Sequence, residues 1–236
     1  MSCFSKINQD DIDRIRRRYQ IPDDVVLRIP DSNERACCPK YEGDIAFYKV
    51  DLKAGLRFPM QPFVRELLDF LSLAPGQVAL NGWQTIISCM VMWRVNSNGQ
   101  EDLTVDEFIF YYEPCQIALS PGFWTFKNRD TDTRVVQGLP SSDRIWKDRY
   151  FFVCGDNWER LPQENLRDFV RVRKSWGTPS SPGVCFSSDF YVLVCHQYMT
   201  CFTLFCSIGS SVAEFRVEGK DIEGFGDRGP SVHYLY

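Results

Sequence analysis

The stretch GLRFPMQPFVRELLDFLSLAPGQVALNGW, Gly55–Trp83, decides the fold class. It reads as a helix with its start and stop written out. Gly55 can leave a preceding helix through a left-handed conformation. Pro59 keeps Phe58 out of the helical region, and Pro62 suits a first helical turn, where its missing N–H costs nothing. Phe63, Leu67, Phe70 and Leu71 recur at helical spacing and predict one apolar face. Pro75 ends the helix at or before Ala74.

Upstream, Asp10–Tyr19 reads as a short helix with Ile12, Ile15 and Tyr19 on one face. Arg14, Arg16, Arg17 and Arg18 form a basic run toward its C-terminus, where the helix dipole favours cations. Val25–Ile29 is a short apolar run closed by Pro30. Asp31–Gly43, with the adjacent pair Cys37 and Cys38, reads as a loop. Asp44 is expected to cap a second helix carrying Ile45, Tyr48 and Leu52 on one side.

Downstream, a helix is expected from near Asn81, with Trp83, Ile86, Ile87, Met90 and Val91 apolar. Thr104 and Glu107 have capping-box spacing, which predicts a helix running to Pro114. Beyond Gly122 the pattern changes. Phe123–Phe126 and Arg134–Val136 read as a hairpin, and Trp146–Val153 as a third, aromatic-rich strand. Arg171, Arg173 and Lys174 alternate with Val170 and Val172, which fits an edge strand defended by charge as well as a nucleic-acid contact.

The expected fold is therefore α+β: a mainly helical N-terminal part, then a small antiparallel β-meander, then an irregular C-terminal tail. The expected division is an extension over 1–13, a domain over 14–179 and a tail over 180–236 outside the core. From Phe190 to Ala213 no Asp, Glu, Lys or Arg occurs. Polar residues dilute that stretch and no strongly basic flank follows, so a membrane span is not expected.

Composition narrows the function classes. Of the 236 residues, 44% are hydrophobic and 25% charged, which is ordinary for a globular chain. The net charge of −4 opposes a dedicated nucleic-acid binder. The opening residues carry no signal-peptide pattern, so an intracellular location, cytoplasm or nucleus, is expected. Most of the ten Cys are then free thiols used as small hydrophobes. Both histidines, His196 and His233, lie in the tail, which leaves the body without a Ser-His or Cys-His pair. Nucleotide-loop patterns do not occur. Cys195-His196, Cys201 and Cys206 lack zinc-ligand spacing. Each Asp that could serve a metal-dependent nuclease has a cap, turn or surface explanation. No catalytic residue, metal, cofactor or small-molecule substrate is expected.

Several short stretches, in order, carry a resemblance. They include Arg18–Pro22, Leu27–Pro30, Glu34–Cys37, Gly55–Pro59 with Pro62 and Phe63, Leu73–Gln77, Asn81–Trp83, Gly122–Trp124, Trp146–Arg149 and Gly155–Trp158. Together, over roughly Arg14 to Pro179, they resemble the plant gypsy-type transposon domain, a family often labelled transposase. After Pro179 the charged helical region usual in that family is replaced by a Cys- and Phe-rich, then Gly-rich, segment. The resemblance implies a link to long-terminal-repeat retroelements and no transferable catalytic set.

The expected function is a non-catalytic retroelement-derived domain, capsid-like, that acts through a protein partner or self-association. The first alternative is a nucleic-acid-binding module using Arg14, Arg16, Arg17, Arg18, Arg171, Arg173 and Lys174. Its contacts would be weak, salt-sensitive and blind to sequence. The second alternative is a metal-dependent transposase or nuclease.

Overall fold

The computed structural model describes residues 4–130, 136, 144–156, 158–165, 167 and 169–179. The fold is α+β. Helix α1 spans Gln9–Tyr19. Asn8 caps it, accepting the Asp11 N–H at 2.9 Å while the Asp11 carboxylate accepts the Asn8 N–H. It ends where Gln20 turns left-handed at φ 52°. Strand β1 is Val26–Arg28 and β2 is Ile45–Tyr48, followed at once by α2, Lys49–Lys53. Then come α3 (Pro62–Phe70), a 3₁₀ turn at Pro75–Gln77, α4 (Leu80–Asn96), α5 (Val105–Tyr111), β3 (Tyr112–Gln116) and β4 (Trp124–Asn128). A second 3₁₀ turn, Arg144–Asp148, leads into β5, Tyr150–Cys154.

One antiparallel sheet has the order β1-β5-β2, with Leu27 opposite Val153 and Phe47 opposite Phe151. β5, arriving about a hundred residues after β2, is its central strand. Alternation along β2 and β5 splits the interior in two. Ile45, Phe47, Phe151 and Val153 face the large core that also holds Ile15, Leu67, Trp83 and Trp158. Ala46, Tyr48, Tyr150 and Phe152 face a smaller core with Trp146 and Ala79. On that side the 3₁₀ turn at Gly76 lies so close that a Cβ would stand 2.9 Å from the Ala46 carbonyl.

The strands are antiparallel, as expected, but they do not form a meander after Gly122. Ile45–Tyr48 is a strand instead of the start of a helix, because all four residues are buried and pair with β5. Asp44 therefore caps nothing. The helix opening at Thr104 has its capping box, with the Thr104 N–H to Glu107 at 2.8 Å. It stops at Tyr111 rather than Pro114, since Tyr112–Gln116 pairs with Trp124–Asn128. Pro114 is tolerated because its strand belongs to a two-stranded sheet. The hairpin joins β3 to β4; Arg134 and Val135 lie outside the described residues. Trp146 sits in the 3₁₀ turn, so the aromatic-rich strand begins only at Tyr150. No strand forms over the described part of 167–174.

Helix α3 buries Phe63, Val64, Leu67 and Leu68 and continues its apolar face into Leu71, with Phe70 rotated to the rim and 44% exposed. Ser72, left-handed at φ 54°, turns the chain before Pro75. The boundary expected at Arg14 falls inside α1. Ile7 and Ile12 are core residues, and the Lys6 N–H reaches the Asp148 carbonyl at 2.8 Å. At the other end Gln77 holds the chain just before Pro179. Its Oε1 accepts the Gly177 N–H at 2.8 Å and its Nε2 donates to the Gly177 carbonyl at 2.7 Å. Residues 180–236, the expected tail, lie outside the described residues. Among the described residues no helix is long and apolar enough to cross a membrane.

Candidate interaction surface and buried charges

Most of the basic residues singled out from the sequence are engaged by groups of the chain itself. Arg14 pairs with Asp11 at 3.0 Å. Arg16 donates to the Pro22 and Val25 carbonyls at 2.6 and 2.7 Å, folding the chain back after α1. Arg17 donates to the Asp13 carbonyl at 3.3 Å. Arg18 stands over the Tyr19 ring. Asp10, Asp11 and Asp13 sit in the same helix, so its four arginines act against three carboxylates. Arg171 and Lys174 meet at one acid, Asp156, at 3.7 and 3.8 Å. Arg173 is exposed between them in sequence. Arg14 and Arg17 thus bond within their own helix, and Arg16 ties down the segment that follows it.

The strongest electrostatic feature was not legible from spacing. Arg28 projects from β1 into a nest made by the 31–44 loop. Its guanidinium grips Glu34 with both ends, Nη1 to Oε2 at 2.6 Å and Nη2 to Oε1 at 2.9 Å, while Nε reaches Asp44 at 2.7 Å. It also lies over the rings of Phe152 and Tyr41, at 4.6 and 4.8 Å from their centroids. The Asp31 and Lys40 N–H groups donate to the same carboxylate. The guanidinium, ahead of these N–H bonds, pulls the Glu34 carboxyl down to about 2, against the cost of burial. Nearby, burial and the Asp44 carboxylate push the Cys154 thiol up to about 12. All of this charge is consumed internally. The nest is a fastening for the loop, with no donor left over for an external anion. A single Arg in a short strand gives no sign of it, because both acids come from a loop whose path only the fold defines.

Two acids are buried away from solvent, Asp51 in the first turn of α2 and Glu159 in a turn beyond β5. Asp51 is fully buried. Its Oδ2 accepts the Tyr48 N–H at 2.7 Å, closing the start of α2, and its Oδ1 has no hydrogen-bond partner. Burial raises its pKa well above the ordinary carboxylate value. Glu159, also fully buried, accepts the Val172 N–H at 3.3 Å through Oε2 and leaves Oε1 unpartnered; burial raises it too. Among the described residues no three His, Cys, Asp or Glu converge as a metal-ion cluster.

Asp51 supports a prediction. A carboxyl whose folded pKa is raised stabilises the fold relative to its ionised form below the unfolded pKa, and that advantage is lost as pH rises through the folded value. Asp51→Asn keeps an oxygen for the Tyr48 N–H and removes the ionisable proton. Chemical denaturation from about pH 4 to 8 is expected to show a flatter stability profile in the variant, with equal or higher stability near pH 7. A loss above about 2 kcal/mol at neutral pH, the scale of one orphaned buried polar group, would show that the carboxyl itself is required.

The remaining feature is apolar. On the outward side of α4, Val91 and Val95 stand one turn apart and are 47% and 65% exposed. Met92, half-buried, lies beside them. Arg94 is tied to Asp102 at 3.1 Å, at the border of this strip. Val91 belongs to the apolar pattern read for this helix, but of that pattern Trp83 and Ile86, together with Cys89, carry the side facing inward. A helix apolar on both sides is the signal that could have revealed the second surface. Scans against family models, curated proteins and solved structures find no match for this chain.

Proposed function

We propose that this chain is a non-catalytic domain of the gypsy-type retroelement kind that acts through protein contacts, and that it self-associates through the outer side of α4. The observation that carries this reading is the pair of exposed branched side chains, Val91 and Val95, on a long helix whose other side is already packed. Apolar area removed from water is worth about 25 cal/mol per Å², so such a strip favours contact. Two copies of one helix can cover each other through a two-fold interface in which the same patch serves both partners. The resemblance to retroelement domains supports a capsid-like role, in which self-association is the activity. The internal pairing of Arg28, Glu34 and Asp44 fits a scaffold whose charges serve folding.

Sedimentation velocity on the full chain over a concentration series tests the proposal. Wild type is expected to shift from monomer toward dimer. Val91→Lys combined with Val95→Lys should weaken association at least tenfold, which is about 1.4 kcal/mol. Circular dichroism should be unchanged and the thermal midpoint nearly so, because neither side chain is part of the buried core. A wild type that stays monomeric up to about 1 mM, the limit of a weak interface, overturns it. So does a double variant that associates as wild type does.

A further inference from the structure

The loop that wraps Glu34 carries two adjacent thiols that neither the core nor the charge network uses. Cys37 and Cys38 are free, and their sulfurs stand 3.5 Å apart, with the Cys38 thiol donating to Cys37. Cys38 is exposed and Cys37 half-buried. The turn that presents them is held from several sides. The Cys38 N–H donates to the Arg35 carbonyl at 2.9 Å. The Glu34 carboxylate, just before it, collects the Asp31 and Lys40 N–H groups from the two ends of the loop. The Glu34 carbonyl accepts the Tyr150 hydroxyl at 2.7 Å, which anchors the turn to the central strand. Ala36, between the exposed Arg35 and the thiols, is buried in the smaller core. A pair of sulfurs held side by side at the end of a fastened loop is suited to one chemistry in particular.

We propose that Cys37 and Cys38 are a reversible two-electron redox site that closes to a vicinal disulfide when exposed to a low-molecular-weight disulfide. The exposed Cys38 thiolate attacks one sulfur of that disulfide, forms a mixed disulfide and expels one thiolate. The Cys37 thiolate then attacks the Cys38 Sγ and expels the second. The pair gives up two electrons and two protons, and the external disulfide becomes two thiols. Burial, together with the hydrogen bond from Cys38, pushes the Cys37 thiol up, which leaves the first attack to Cys38. The second step is intramolecular, at an effective concentration of about millimolar or higher, so it outruns a second external thiol present at trace level.

The resulting bond is easily reversed. Adjacent Cα atoms are about 3.8 Å apart, below the roughly 4.4–6.8 Å span of ordinary disulfides. The ring is therefore strained, and strained disulfides are the readily reduced ones. Closing it must also reshape the Cys37–Cys38 peptide and with it the Cys38 N–H bond to Arg35. The oxidised and reduced forms thus differ in the loop that covers Arg28.

The full chain equilibrated with glutathione buffers of increasing oxidised fraction, acid-quenched, alkylated and digested with trypsin provides the test. Cleavage after Arg35 and Lys40 releases Ala36–Lys40, which contains both sulfurs and no other cysteine. That peptide is expected to become two hydrogens lighter and resistant to alkylation, and to recover after dithiothreitol. In Cys37→Ser the Cys38 glutathione adduct should persist, at least tenfold more abundant than in wild type under the same buffer. Circular dichroism of the variant controls for folding. A wild-type peptide that stays fully alkylated at the most oxidising ratio, or that accumulates the glutathione adduct as Cys37→Ser does, overturns the proposal.

Discussion

Arg65→Ala is expected to lower stability by about 3–5 kcal/mol, the cost of breaking a buried charge pair from one side. In a domain of this size each kcal/mol moves the thermal midpoint by about 2–4 °C, so the midpoint should fall by about 6–20 °C. The reason lies in what this side chain joins. Arg65 is 1% exposed, on the inner part of α3. Its Nη1 donates to the Met60 and Glu159 carbonyls at 2.5 and 2.6 Å, and its Nε to the Val170 carbonyl at 3.1 Å. Its Nη2 is paired with the Glu164 carboxylate, and the guanidinium lies over the Phe169 ring at 4.8 Å. One planar fork thus fastens the described part of residues 159–170, which forms no helix or strand, onto a helix about a hundred positions earlier. Truncation leaves three carbonyls and a carboxylate without their donor. Arg65→Lys should recover only part of the loss, because a single ammonium cannot reproduce the geometry of the fork. Urea titration and calorimetry measure the change, and limited proteolysis should show new cleavage between Glu159 and Val170. A loss below about 1 kcal/mol would mean that the segment is held by other contacts, Trp158 foremost.

Glu34 should govern the acid limb of stability. Its folded pKa is about 2, against an ordinary 4.5. A depressed carboxyl contributes stability that is fully present above the unfolded value and is lost as pH falls through the folded one. The window therefore runs from about pH 4.5 down to about 2. Each tenfold difference in proton affinity between the folded and unfolded chains is worth about 1.4 kcal/mol, so the contribution is on the order of 3 kcal/mol. Stability measured by urea unfolding is expected to fall steeply across that window in wild type. Glu34→Gln should lose a comparable amount at neutral pH, since Arg28 keeps only Asp44 as its charged partner, and its profile should be nearly flat on the acid side. Asp51 contributes with the opposite sign, so the two variants should bend the pH profile in opposite directions. A Glu34→Gln chain that retains the wild-type acid limb would place that limb on another carboxylate.

Short-range chemistry made several elements readable from the residues alone. The Thr104–Glu107 box, Pro62 at the start of α3, and the apolar spacing of α1 are all local devices, complete within one or two helical turns. They work wherever the chain goes, and the structure places α1, α3, α4 and α5 close to where spacing put them. Arg16 and Arg17 were visible as a basic run for the same reason. That their donors are spent on carbonyls of their own neighbourhood depends on the path of the chain after Gln20.

Tertiary structure decided the sheet and the charges. Ile45–Tyr48 carries apolar residues at positions compatible with a helix, and it becomes a strand because β5 supplies a hydrogen-bonding partner on one side and two cores supply burial on both faces. β-structure is set by partners distant in sequence, which no local spacing encodes. The same holds for Asp44, Asp51 and Arg65, whose roles were invisible because each depends on a group brought in by the fold: Arg28, the interior of the packed domain, and the strap from Glu159 to Val170. Composition and short motifs determined an α+β chain with a substantial core. Which side of α4 faces water, and which acids are taken out of it, followed only from long-range packing, since burial belongs to the assembled interior and to no residue by itself.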